Sequence, residues 1–400
     1  MTGIALEQLS SQPRADGFAV TGVDLQVAEG TVCVLIGPSG SGKTTLLRLV
    51  AGVEAVASGT VRIGEDDVTA WSPGERDLAW FDNEHPLYPH LDVEHNIGFA
   101  LRLRRRLRRT DLDERVRAEA RAAGIHPLLP RMPSTLSAGE QQAAGLARTT
   151  ARLPRAYLLD EPLARIDTQQ RARLRAELRM FLESLQVPAL LATNDQHDAL
   201  TLADQLAVLR DGRLVQSGPS RELLERPAEA FVAAFLHPAH MNILAGRVEL
   251  GRRSTWVRIG DAAAVPLEGV PQSLRSTLDE RPVHLGLGAD DLHVVEETDQ
   301  PGAFRVVVER VEPLGHATLV RGRVMGARQM RGRSGGHAAA RGREQAAARR
   351  GQCSVAIVVQ VDPALHVDRG ATLTVAADGR YAHLFDPITG RALWHAVDEP

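Results

Sequence analysis

One octapeptide constrains this chain more than any other feature. Gly37-Pro-Ser-Gly-Ser-Gly-Lys-Thr44 fits the pattern G-x-x-x-x-G-K-[ST]. It lies between a continuous apolar run, TVCVLIG (31–37), that reads as a buried strand, and a helical run from Lys43 to Val50. Strand, glycine-rich turn and helix in that order make an anion cradle. Gly37, Gly40 and Gly42 let the backbone curl so that N–H groups around Pro38, Ser39 and Ser41 face a phosphate chain. The helix N-terminus adds a favourable field. Lys43 is expected to reach the β- and γ-phosphates, Thr44 to hold Mg²⁺, and Thr45 to approach the α-phosphate.

A second apolar run, AYLLD (156–160), ends in Asp160 and is followed by Glu161. An aspartate at the tip of a buried strand, facing a phosphate loop, is placed to orient Mg²⁺ and its waters, and Glu161 could polarise an attacking water. VPALLAT (187–193) reads as a third buried strand. Near-continuous apolar strands joined by helices predict an α/β domain whose sheet is covered on both faces. Residues 84–150 turn mostly helical, which predicts a helical lobe. Helix 169–185 reads as scaffold with its Leu and Ala facing the core.

Around residue 240 the texture changes to short alternating segments, including FRVVVERVEP, SVAIVVQV and ATLTVAA, separated by Gly, Pro and Asp. These predict a small all-β barrel or a tandem pair. The expected division is therefore 1–238 and 239–400, with a flexible Gly/Ala/Arg-rich insertion at 326–352. Composition argues by exclusion. A formal net charge of −3 gives no electrostatic case for a nucleic-acid partner. Cys33 and Cys353 are the only cysteines, so no disulfide framework or zinc site is expected and a reducing compartment is the natural reading. The start, MTGIALEQLSSQ, lacks the features of a secretory signal, and no apolar run approaches the ~18 residues of a membrane span.

The ordered set of motifs resembles the ABC transporter ATPase family, most closely the maltose- and glycerol-phosphate-type sugar-importer subunits. LSAGE (136–140) is similar to the family signature LSGGQ, LDEP (159–162) to its Walker B continuation, and ARID (164–167) to its D-loop. HPLYPHLDVEHNIGFAL (85–101) resembles the stretch that contacts membrane subunits, and VEPLGHAT (311–318) a motif of the C-terminal regulatory domain. The resemblance implies a P-loop ATPase domain followed by a regulatory domain of oligonucleotide-binding-like fold. It implies ATP and Mg²⁺ as ligands and a head-to-tail pair of ATP-binding subunits, in which Ser137 and Gly139 cover the γ-phosphate of the partner's ATP. It also implies two transmembrane permease subunits, an extracytoplasmic solute-binding protein, and a peripheral location on the cytoplasmic face of the inner membrane. Carbohydrate is the expected solute; related importers carry polyamines, iron, sulfate or phosphonates. A non-transport ATP-dependent module is the other class considered, and a single phosphate loop with the 245–395 extension argues against it.

Several positions depart from the family pattern. Asp82 stands at the glutamine of the Q-loop and, when ionised, can only accept hydrogen bonds. It could coordinate Mg²⁺ but would repel phosphates. Asn194 replaces the switch histidine; it can donate to a γ-phosphate but cannot carry a proton. Ala138 and Glu140 alter the signature, the latter bringing a charge expected to weaken binding near phosphate. Arg14 falls where an aromatic ring usually stacks on adenine and could stack through its guanidinium plane, while Phe18 reads as core. Three readings follow: a slow ATPase, a divergent half that pairs with a more regular partner, or a chain that binds ATP as a structural or regulatory ligand.

Overall fold

The computed structural model describes residues 3–396 apart from 83, 85–86, 105–107, 153, 165, 167, 185, 238, 253, 261–262, 297–301, 316 and 326–354. The insertion 326–352, Cys353, Arg165 and Asp167 of the D-loop stretch, and His316 therefore lie outside the described residues. The chain divides into two compact units, Met1–Ser220 and Arg221–Pro400.

The first unit opens with β1 (Ile4–Ser11), β2 (Val23–Val27), β3 (Val32–Ile36), β4 (Val56–Ile63), β5 (Asp66–Asp67) and β6 (Leu78–Phe81), with helix α1 (Lys43–Ala51) after β3. Helices α2 (Val93–Arg104), α3 (Arg109–Ala122) and α4 (Ala138–Thr150) come next and pack on one another as the expected helical lobe. The unit closes with β7 (Ala156–Asp160), α5 (Thr168–Glu183), β8 (Ala189–Thr193), α6 (Gln196–Leu202), β9 (Gln205–Arg210) and β10 (Arg213–Gly218).

Two sheets result. The order β10-β9-β3-β8-β7-β6 is parallel throughout except for the antiparallel edge strand β10. Every residue of β3, β7 and β8 is buried, as strands covered on both faces require. The antiparallel sheet β2-β1-β4-β5 shares a core with the parallel one, built from Leu6, Leu25, Leu35, Leu47, Leu158 and Leu190 among others. The carboxyl ends of β3, β7 and β8 lead into Gly37, Glu161 and Asn194, so three neighbouring strand ends supply the predicted chemistry. In such sheets ligands bind outside those ends.

The second unit begins with α7 (Ser220–Glu225) at the boundary and α8 (Ala230–Leu236), followed by β11 (Met241–Leu250), β12 (Thr255–Ile259), β13 (Ala263–Leu267), α9 (Gln272–Leu278), β14 (Pro282–Gly288) and β15 (Leu292–Val294). It continues with β16 (Ala303–Pro313), β17 (Thr318–Val324), β18 (Ala356–Val361), β19 (Thr372–Ala377), β20 (His383–Phe385) and β21 (Ala392–His395). The expected barrel takes the form of two antiparallel sheets, β13-β12-β11-β14-β20-β21 and β15-β19-β16-β17-β18. Alternate residues such as Val257 and Ile259, or Val306 and Val308, point into one shared aliphatic core.

A buried cation fixes the helix that carries the phosphate loop. Arg76 is 2% exposed. Its guanidinium donates to the carbonyls of Leu49 and Val50 at 2.8 Å, to Thr69 at 2.8 Å and to Trp71 at 3.1 Å. The first two carbonyls lie in the last turn of α1, where a positive charge is also favoured by the helix dipole, and Leu49 O accepts from Gly52 N–H at 3.1 Å as well. Gly52 ends the helix at φ 75°, and a Cβ there would lie 2.6 Å from Arg76 Nε. Arg76→Ala strips partners from several buried carbonyls, and a loss of about 3 kcal/mol is expected. The check is a lower urea midpoint for this unit with an unchanged slope.

Candidate functional site

The loop between β3 and α1 is folded as the sequence demands. Gly40 and Gly42 adopt φ 80° and 106°, the left-handed region that side chains other than glycine's resist. A Cβ on Gly42 would also press Val20 Cγ2 at 3.0 Å and Phe18 Cζ at 3.2 Å. The loop bounds a cleft of about 430 Å³. Ser39, Gly40, Gly42, Lys43, Thr44 and Thr45 form its floor, Arg14, Phe18 and Arg48 one wall, and Glu161 and Asn194 also reach it. Gly37, Pro38 and Ser41 support the floor from below through Lys43: its Nζ donates to Gly37 O at 2.8 Å and Pro38 O at 3.0 Å, and lies 3.5 Å from Ser41 Oγ. Burial pushes the Lys43 ammonium below its ordinary pKa, while Glu161 and Asp160 oppose that shift.

Thr44 donates its hydroxyl to Asp160 Oδ1 at 3.2 Å, joining the first turn of α1 to the tip of β7. Burial holds the Asp160 carboxyl above the usual range, and the Thr44 hydroxyl, Arg48 and Lys43 pull the other way. Glu161 is raised for the same reason, with the Asn194 backbone N–H and Lys43 favouring the ionised form. Glu161 Oε1 is buried without a hydrogen-bond partner among the described residues. Two desolvated carboxylates, one with an orphaned oxygen, fit a divalent cation beside the Thr44 hydroxyl.

Glu161 also sits at φ 48°, a left-handed conformation that costs a non-glycine residue about 1 kcal/mol or more. Its neighbours hold it there. Glu161 N–H donates to Ala192 O at 2.9 Å, and Gln142 Nε2 donates to Glu161 O at 3.0 Å. Sequence reading missed Gln142, since the second of two adjacent glutamines in a helix carries no signal of its partner. It also missed that α5 does more than cover the core. Arg171 reaches Asp195 at 3.2 Å and Asp198 at 2.5 Å, and Arg175 reaches Asp198 at 2.6 Å, which ties α5 to the segment that follows Asn194.

The departures from the family pattern resolve individually. Arg14 does enter the cleft, donating to Thr45 Oγ1 at 2.7 Å with its guanidinium 5.8 Å from the Phe18 ring centre. Phe18 both lines the cleft and packs on the core. Asp82, just past β6, lies outside the cleft wall; it accepts from Glu84 N–H at 2.9 Å and acts on the site by raising Asp160 further. Ser137 and Gly139 do not reach this cleft; Ser137 caps α4, and Gly139 lies in its first turn.

Glu140 has a local hydrogen-bonding role that the sequence pattern did not predict. Its carboxylate turns back to accept from Ser137 N–H at 2.7 Å, while Ser137 Oγ accepts from Glu140 N–H at 3.3 Å. This reciprocal capping box holds the carboxyl below the usual range and occupies the charge within its own helix. Ser137→Ala should cost α4 about 1 kcal/mol, seen as a lower urea midpoint. Glu161 gives a pH-dependent test. Its folded pKa exceeds its unfolded one, so ionisation costs stability above the folded pKa and nothing below the ordinary glutamate range. Glu161→Gln should therefore raise the thermal midpoint at neutral pH, with the gain gone below about pH 4.

Comparison with known proteins supplies the family. A model described as ABC transporter matches residues 20–164. An sn-glycerol-3-phosphate import ATP-binding protein of Burkholderia mallei is 33% identical over 393 residues, 98% of this chain and 99% of its own length. Proteins of the same name are 36% identical over 376 residues in Rhodopseudomonas palustris, spanning 92% and 94% of the two chains, and 35% identical over 322 residues in Agrobacterium fabrum, spanning 80% and 88%. In fold, the chain is similar to a dimeric ATP-binding cassette in a post-hydrolysis state with ADP and phosphate, with TM-score 0.50 and 22% identity over 54% of this chain and 98% of the other. Relatives matched almost end to end at this identity carry the family with them: the chain belongs to the ABC transporter family and is one of its ATP-binding, ATP-hydrolysing subunits.

Proposed function

We propose that this chain powers an importer, coupling ATP binding and hydrolysis to uptake of a phosphorylated polyol or related carbohydrate. The observation that carries the catalytic reading is the meeting of Lys43, Thr44 and Glu161 at one cleft, with Asp160 behind it and hydrogen-bonded to Thr44 at 3.2 Å. The solute class rests on the glycerol-3-phosphate importers that the chain resembles end to end. The first unit, Met1–Ser220, acts as the ATP-binding domain and the second, Arg221–Pro400, as the regulatory β domain, a boundary earlier than the expected 238/239.

In this reading Lys43 and the loop N–H groups bind the phosphates, and Thr44 and Asp160 hold Mg²⁺. Held by those two residues, Mg²⁺ would supply neutralisation of phosphate charge. Asp82 influences the ion through Asp160 rather than from the cleft wall. Glu161 orients the attacking water and accepts its proton; its raised pKa suits a base working nearer neutrality. Asn194 donates to the γ-phosphate, a role that needs no proton transfer. Arg14, already beside Thr45, holds the α-phosphate region and offers its planar face to the base.

Ser137 and Gly139, outside the chain's own cleft, serve the ATP of a second ATP-binding subunit in a head-to-tail pair. Two permease subunits would bind the pair at the cytoplasmic face of the inner membrane, and an extracytoplasmic binding protein would deliver the solute to them. No helix among the described residues is long and apolar enough to cross a membrane, so this arrangement needs those permeases. Nucleic acid has no role in it.

ATP turnover of the permease-bound complex tests the reading. Glu161→Gln should lower kcat by about 10²–10⁴ with little change in ATP binding. Lys43→Ala should lose binding itself, and Asn194→His should raise kcat. Wild-type turnover no greater than that of Glu161→Gln, with binding intact, would overturn hydrolysis by this chain and leave it a nucleotide-binding half.

A further inference from the structure

The β-rich unit gathers a second set of ligand-type side chains that the ATPase reading does not use. His237 follows the last turn of α8, and Asp290 and Asp291 occupy the turn between β14 and β15. Ligating atoms from the three residues all lie within 4.8 Å of one another, and His237 Nε2 is 3.6 Å from Asp290 Oδ1. That spacing is close to the edge of a coordination polyhedron with bonds of about 2.0–2.2 Å.

The three side chains converge on one spot beside Gly288. A Cβ built on Gly288 would meet Asp290 Oδ1 at 2.5 Å, Asp291 Oδ2 at 2.6 Å and His237 Cε1 at 2.8 Å. Glycine keeps that spot clear. The backbone around it is fixed independently: Met241 pairs with Gly288 across β11 and β14, Ala289 N–H donates to His240 O at 2.8 Å, and Gln360 N–H donates to Ala289 O at 2.8 Å. Gly288 N–H also donates to Asp291 Oδ2 at 2.9 Å, which orients that carboxylate. Ligands carried on a rigid scaffold need little rearrangement to bind.

Among the described residues, no lysine or arginine forms a salt bridge with Asp290 or Asp291, and the ring nitrogen facing them is His237 Nε2. We propose that His237, Asp290 and Asp291 bind one divalent transition-metal ion of the zinc class, which cross-links the segment entering β11 to the β14–β15 turn. One imidazole and two carboxylates suit such an ion, and water would complete its coordination.

The experiment uses the full chain, stripped with EDTA and free of nucleotide. Co²⁺ is titrated by its visible absorption, then displaced with Zn²⁺, and the thermal midpoint is followed in parallel. One equivalent of Co²⁺ should develop a band that Zn²⁺ abolishes, and Zn²⁺ should raise the midpoint. His237→Ala, Asp291→Asn and Gly288→Ala should each weaken binding by about tenfold or more. Their metal-free melting curves show whether each variant is folded, and His237→Gln repeats the test with a smaller change in volume. No band in the wild type, or an undiminished band in folded His237→Gln and Asp291→Asn, overturns the proposal. So does a band lost in Asp160→Asn alone, which would assign the ion to the phosphate cleft.

Discussion

Two carboxylates are held out of water beside one ammonium, and the first unit is organised around that costly arrangement. Asp160 and Glu161 are both pushed toward their neutral forms by burial, while Lys43 is pushed toward its own. Each group makes the charge of the others tolerable, as desolvated charges require. The fold supplies the rest. Strand β3 ends in the glycine loop, β7 ends in the acids, and β8 lies between them and delivers Asn194. Arg76 fixes the far end of α1, so the helix that presents Lys43 and Thr44 is anchored at its C-terminus as well as at the loop.

The site's departures from its family fall on the groups around this arrangement rather than on the arrangement itself. Asp82 adds negative charge near Asp160, and Asn194 removes a proton carrier next to Glu161. Arg14 adds a cation beside Thr45. Glu140 takes on a local task, its carboxylate capping α4.

The two units use different physics. In the first, parallel strands buried on both faces leave function to the strand ends. In the second, antiparallel strands place alternate side chains into a shared core. Its polar groups then gather at turns and strand ends, where His237, Asp290 and Asp291 meet.

The sequence by itself determined the parts that are local. The runs 31–37 and 156–160 announced buried strands, and the octapeptide specified the loop between β3 and α1. The order of motifs also identified the family. Only the tertiary structure decided which distant groups would meet. Arg76 lies 27 residues from Leu49 along the chain, Gln142 lies 19 from Glu161, and His237 comes together with Asp290 and Asp291 only because β11 pairs with β14. Periodicity and spacing report on neighbours within a few residues. A hydrogen bond or shared ligand position depends on strand order and register, which are set by the packing of the whole unit.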